Sequence, residues 1–91
     1  MNGPAESAPG TDSAEEQVLD VLRRTALEIV PEIEPAAFRP DRTLSELGCN
    51  SIDRAEIVTL TMEELDIAVP VHEFHQGMDI GTLAALMRKQ L

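Results

Sequence analysis

Leu47-Gly48-Cys49-Asn50-Ser51-Ile52-Asp53-Arg54-Ala55-Glu56-Ile57 is the stretch on which the fold turns. Gly48 ends a loop, Asn50 is a good helix cap, and Ser51 stands in the first turn of the helix that follows. Apolar Ile52, Ala55, Ile57, Val58 and Leu60 interleave with acidic Asp53, Glu56, Glu63 and Glu64 at helical spacing. A serine so placed has its hydroxyl beside backbone N–H groups that find no partner inside the helix. The positive pole of the helix dipole lies at the same end, which suits an attached or bound phosphate.

Downstream, the pattern predicts helix over 51–65, with Asp53 three residues past the cap, where a carboxylate favours the free N–H groups. Ala55, Val58, Thr59, Met62 and Leu65 read as inward positions, flanked by Ile57 and Thr61. Asp66 and Pro70 mark the exit. Residues 71–76 have room for one short helical turn, with Phe74 facing inward and Gly77 ending it. Asp79 then caps a last helix whose apolar stripe is Ile80, Leu83, Ala84, Met87 and Leu91, with Arg88 and Lys89 in its final turn.

Upstream, Ser13 and Glu16 form a capping-box pattern, and Val18, Leu22, Ala26 and Ile29 lie on one helical stripe. Pro31 stops that helix, which the spacing places over 14–30. The connection from 31 to 50 is long for a compact domain, so its own side chains must anchor it. Ile33, Phe38, Leu44 and Leu47 are the candidate anchors, and Thr43 with Glu46 repeats the capping-box pattern around a short turn. Residues 1–12, with two prolines, two glycines and no apolar face, read as a disordered leader. The architecture expected over 13–91 is all-α: a four-helix bundle of three main helices and a short third one, with a long first connection.

Ninety-one residues carry one small domain. Seventeen acidic against seven basic residues give a net charge of −10, which repels nucleic acid and anionic membranes and favours basic docking faces. No apolar run approaches the roughly 20 residues of a membrane span, and the N-terminus lacks the pattern of a signal peptide. The lone Cys49 excludes an intrachain disulfide and fits a reducing cytoplasm. The chain opens with Met1 and closes at a helix end, which reads as a free-standing protein, with a piece of a larger synthase as the alternative; a monomer is expected.

The stretch around Ser51 resembles the modification site of acyl carrier proteins, whose serine receives a 4′-phosphopantetheine arm from a phosphopantetheinyl transferase. Leu47-Gly48-Cys49-Asn50-Ser51-Ile52 matches the family's Leu-Gly turn followed by Asp-Ser-Leu or Asp-Ser-Ile, with Asn50 in place of the aspartate. Met62-Glu63-Glu64-Leu65-Asp66-Ile67 with Val69-Pro70, and Asp79-Ile80-Gly81-Thr82-Leu83-Ala84, resemble the close of the family's second helix and the start of its last. The resemblance implies a non-enzymatic carrier that holds acyl groups as thioesters on Ser51. By position it makes Asn50, Ile52, Asp53, Arg54, Glu56, Met62 and Glu63 the partner contacts.

The same strings look most like the free-standing donor carriers of polyketide β-branching cassettes. These hold malonyl, loaded by an acyltransferase and converted to acetyl by a decarboxylating ketosynthase-like enzyme, and deliver it to a homologue of HMG-CoA synthase. By that resemblance Arg54 helps the synthase tell donor from acceptor; otherwise it is an exposed residue pairing with Asp53 or Glu56. The alternatives are a general carrier of fatty acid or polyketide synthesis, or an unmodified acidic adaptor in which Ser51 is only part of a cap. A serine hydrolase is a more distant alternative, because this sequence has no Gly-x-Ser-x-Gly elbow around Ser51. His72 and His75, three apart without a third ligand at motif spacing, read as surface residues, not a zinc site. Cys49 reads as a small turn residue without a role.

Overall fold

The computed structural model describes residues 13–75 and 77–91; the leader read in the sequence lies outside them. Helix α1 spans Ser13–Ile29, α2 Ser51–Leu65 and α3 Ile80–Arg88, with 3-10 turns at Pro35–Ala37 and Val71–Glu73. The described residues are thus all-α, as the apolar stripes predict, and α1 starts and ends one residue before its expected bounds. Helix α1 packs against both α2 and α3, burying Val18, Leu22 and Ala26 completely. These meet Ile57 of α2 and Ile80, Leu83, Ala84 and Met87 of α3 in one core.

The connection between α1 and α2 earns its order through side chains, as its length requires. Ile33, Leu44 and Cys49 are buried in the core, and Phe38 and Leu47 pack on its edge. The second capping box forms without a helix: the Glu46 amide donates to Thr43 Oγ1 and the Thr43 amide to Glu46 Oε1, both at 3.0 Å. The Thr43 amide, and after it Arg42, whose Nε donates to the same oxygen at 3.2 Å, hold the Glu46 carboxyl below its usual range. The loop is latched to α3. The Ile80 amide donates to the Arg42 carbonyl at 2.8 Å and the Gly81 amide to the Pro40 carbonyl at 2.9 Å. Gly81 sits so close to Pro40 that an added Cβ would lie 3.2 Å from its carbonyl oxygen.

Three expectations need correction. The short third helix is a single 3-10 turn that ends at Glu73, well before Gly77. Beyond it the His75 amide turns to Met78 Sδ instead of a helical carbonyl, while Phe74 packs half-buried on the core. On α2 the inward stripe is rotated: Ile57 and Thr61 are fully buried, whereas Ala55 and Thr59 are exposed. Finally, Leu91 lies past the end of α3 and is 52% exposed, so it does not extend the stripe.

Candidate functional site

The start of α2 is fixed by a reciprocal cap. The Asp53 amide donates to Asn50 Oδ1 at 2.8 Å, and the Asn50 amide donates to Asp53 Oδ2 at 3.1 Å. Gly48, at φ 98°, takes a left-handed backbone conformation that a side chain would strain, although an added Cβ would meet nothing within 4 Å. Cys49 follows it into the core rather than simply filling the turn, and burial pushes its thiol up, with the Asp53 charge adding and Arg54 opposing. The next two residues emerge at once: Asn50 and Ser51 are exposed. Ser51 therefore presents its hydroxyl to solvent on the first turn of a rigid helix. Its Oγ has no side-chain hydrogen-bond partner among the described residues, so no base stands ready to activate it as a hydrolase nucleophile.

The other residues singled out in the sequence divide into two faces of α2. Ile52, Glu56 and Glu63 share the outer face, with Ile52 75% exposed. Leu60, 39% exposed, belongs with them, and nothing in its apolar side chain signals a place on the outer face. Met62 stands apart, half-buried against the core. Glu64 is drawn off by a 2.8 Å ion pair with Arg24 of α1, which ties the two helices together.

Ser51, Ala55, Val58 and Met62 follow one another at helical steps and form a second stripe. Below Ser51 this stripe is one wall of an open groove of about 260 Å³. Its opposite wall is Phe74, His75 and Met78, with Leu44 and Leu83 at its base. Of the residues expected to face the core from this side of α2, Ala55, Val58, Thr59 and Met62 line that groove, while Val58, Met62 and Leu65 also pack half-buried on the core.

Arg54 differs most from its bland reading. It is half-buried at the rim of the groove, and its Nη1 donates to the Cys49 carbonyl at 3.0 Å. It makes no ion pair with Asp53, Glu56 or any other carboxylate among the described residues.

This geometry fits a phosphorylated serine. The hydroxyl is accessible, the Ser51 and Ile52 amides lack acceptors among the described residues, and the helix dipole points its positive end outward. Comparison with known proteins agrees. The family described as "Phosphopantetheine attachment site" matches residues 17–88. A polyketide biosynthesis acyl-carrier-protein, AcpK of Bacillus subtilis (strain 168), is 36% identical over 72 residues, 79% of this chain and 88% of that protein. The highly reducing polyketide synthase aurA of Calcarisporium arbuscula is 33% identical over 79 residues, 87% of this chain but only 3% of the synthase. Among solved structures, the crystal structure of the curacin biosynthetic pathway HMG synthase in complex with acetyl donor-ACP holds a similar chain. It is 37% identical, with a TM-score of 0.74 over 84% of this chain and 97% of that one.

Proposed function

The chain belongs to the phosphopantetheine-attachment family of carrier proteins, and from that premise we propose that it is a donor carrier of polyketide β-branching, loaded through Ser51. It is a carrier, not a catalyst. When bound, 4′-phosphopantetheine supplies a terminal thiol that holds acetyl or malonyl as a thioester. What this chain's own residues do is hold the attachment point still and in solvent. Asn50 and Asp53 lock the first turn, and Ser51 Oγ, losing its proton, bonds to the pantetheine-side phosphorus of coenzyme A as the pyrophosphate bond breaks and adenosine 3′,5′-bisphosphate leaves, while Ile52, Glu56 and Glu63 offer a contact face. Asn50, Asp53 and Arg54 border the attachment point, and Met62 borders the groove beneath it, so each is within reach of an enzyme that handles the cargo.

The observation that carries the reading is an exposed serine at the capped start of α2, in a fold shared over nearly the whole of an acetyl donor-ACP's length. An enzyme like HMG-CoA synthase is then the acceptor of the acetyl unit. A phosphopantetheinyl transferase, an acyltransferase and a decarboxylating ketosynthase-like enzyme act before it. We assign the chain to the cytoplasm as a monomer, in keeping with its free thiol.

Two measurements test this. Incubation with coenzyme A and a broad-specificity phosphopantetheinyl transferase should raise the intact mass by one phosphopantetheine, and Ser51→Ala should abolish the gain. The acetylated protein should then donate acetyl to an HMG-CoA-synthase-like enzyme faster than a carrier of fatty acid synthesis does. Equal rates would reduce it to a general carrier, and no mass gain would leave an acidic adaptor.

A further inference from the structure

We propose that Arg54 binds the phosphodiester that joins the arm to Ser51, and so fixes the direction in which the arm leaves α2. The inference rests on the reading of Ser51 above and adds a residue to it. Positions three apart on a helix are surface neighbours, with Cβ atoms about 5–6 Å apart. Helical side chains also lean toward the N-terminus, which carries the guanidinium toward Ser51. The bond from Nη1 to the Cys49 carbonyl shows that it lies there, since Cys49 precedes Ser51 in the chain.

The guanidinium is held but not consumed. One of its five N–H donors is used, and the others have no acceptor among the described residues. In a chain of net charge −10 that is unusual company for a cation. Arg23, Arg24, Arg39 and Arg42 each pair with a carboxylate. Around Arg54 the carboxylate of Asp53 is engaged by the Asn50 amide, and the cap beside Ser51 is itself a neutral amide.

A phosphodiester on Ser51 brings a new anion into this setting, next to Asp53. Arginine is suited to receive it, because its planar fork matches two phosphate oxygens at once. The free amides of Ser51 and Ile52 approach from the helix side and the guanidinium from the groove side. Held between them, the arm starts out over the groove rather than away from the domain.

The test needs no enzyme turnover. Wild type, Arg54→Gln and Arg54→Lys are converted to the phosphopantetheinylated form, and intact mass verifies each addition. The Nε–H resonance of Arg54 in the wild type should shift between the unmodified and modified proteins. The phosphorus-31 resonance of Arg54→Gln should be displaced from the wild type, that of Arg54→Lys should lie between, and salt near ~0.5 M should shrink the displacement. An Nε–H resonance that stays put on attachment, or identical phosphorus spectra for wild type and Arg54→Gln, overturns the contact while leaving Ser51 as the site. No mass gain on the wild type removes both.

Discussion

Thr61 has no solvent exposure, and its hydroxyl finds no hydrogen-bond partner among the described residues. A buried hydroxyl without a partner loses its water and gains nothing in exchange. Thr61→Val keeps the branched shape and removes that cost, so it should raise stability by about 1 kcal/mol. A higher urea midpoint at unchanged m-value would show it; a lower one would mean that the hydroxyl has a partner in solution. The same residue marks where the inward face of α2 departs from the sequence pattern. Two neighbouring stripes compete there, one through Val58 and Met62 and one through Ile57 and Thr61, and the fold buries the second fully, about a third of a turn from the first. Ser51, Asn50 and Asp53 were legible because capping is a local matter of residues three apart. The setting of Arg54 was not, since the carbonyl it meets becomes available only once Cys49 has turned into the core.

Among the elements, α3 has the clearest handle. The Thr82 hydroxyl and amide donate to Asp79 Oδ1 at 2.7 and 2.8 Å and hold the carboxyl below its usual range, the hydroxyl being the larger cause. A depressed carboxyl stabilises the folded state above its unfolded pKa of about 4, and that contribution fades as pH falls through the folded value. Asp79→Asn keeps a capping side chain but cannot titrate. Wild type should be the more stable at pH 7, and the gap in urea midpoint should close below about pH 4. A gap independent of pH would place the effect in geometry, not charge. Helices α1, α2 and α3 were readable because each carries a stripe or a cap of its own. The chain between α2 and α3 carries neither, and its shape follows from where Phe74 and Met78 pack.

For the molecule as a whole, charge is the organising quantity. The acids Glu56 and Glu63 make no ion pairs among the described residues and stand exposed on one face with Ile52. Such a face speeds encounters with a basic surface and loosens them again as salt screens it. The double variant Glu56→Lys, Glu63→Lys should slow association with the HMG-CoA-synthase-like enzyme about tenfold at low ionic strength, with little effect near ~0.5 M salt. Stopped-flow association rates at the two salt concentrations decide it, and equal slowing at both would point to a lost contact instead. Far-UV circular dichroism of the variant should match the wild type, because both side chains lie outside the core.

Helix α2 contributes only Ile57 and Thr61 as fully buried side chains, while α1 supplies the seam that holds the domain together. On the contact face proposed above, Ile52, Glu56 and Glu63 lie outside the core, so there the proposed recognition and the stability of the domain rest on different residues. Changes at exposed positions away from the cap cost little, commonly within about 0.5 kcal/mol. A lineage can then rewrite its partner preference, residue by residue along the outer face of α2, without ever passing through an unfolded ancestor. A domain built this way is free to be copied and reassigned to new assembly lines while its interior stays the same.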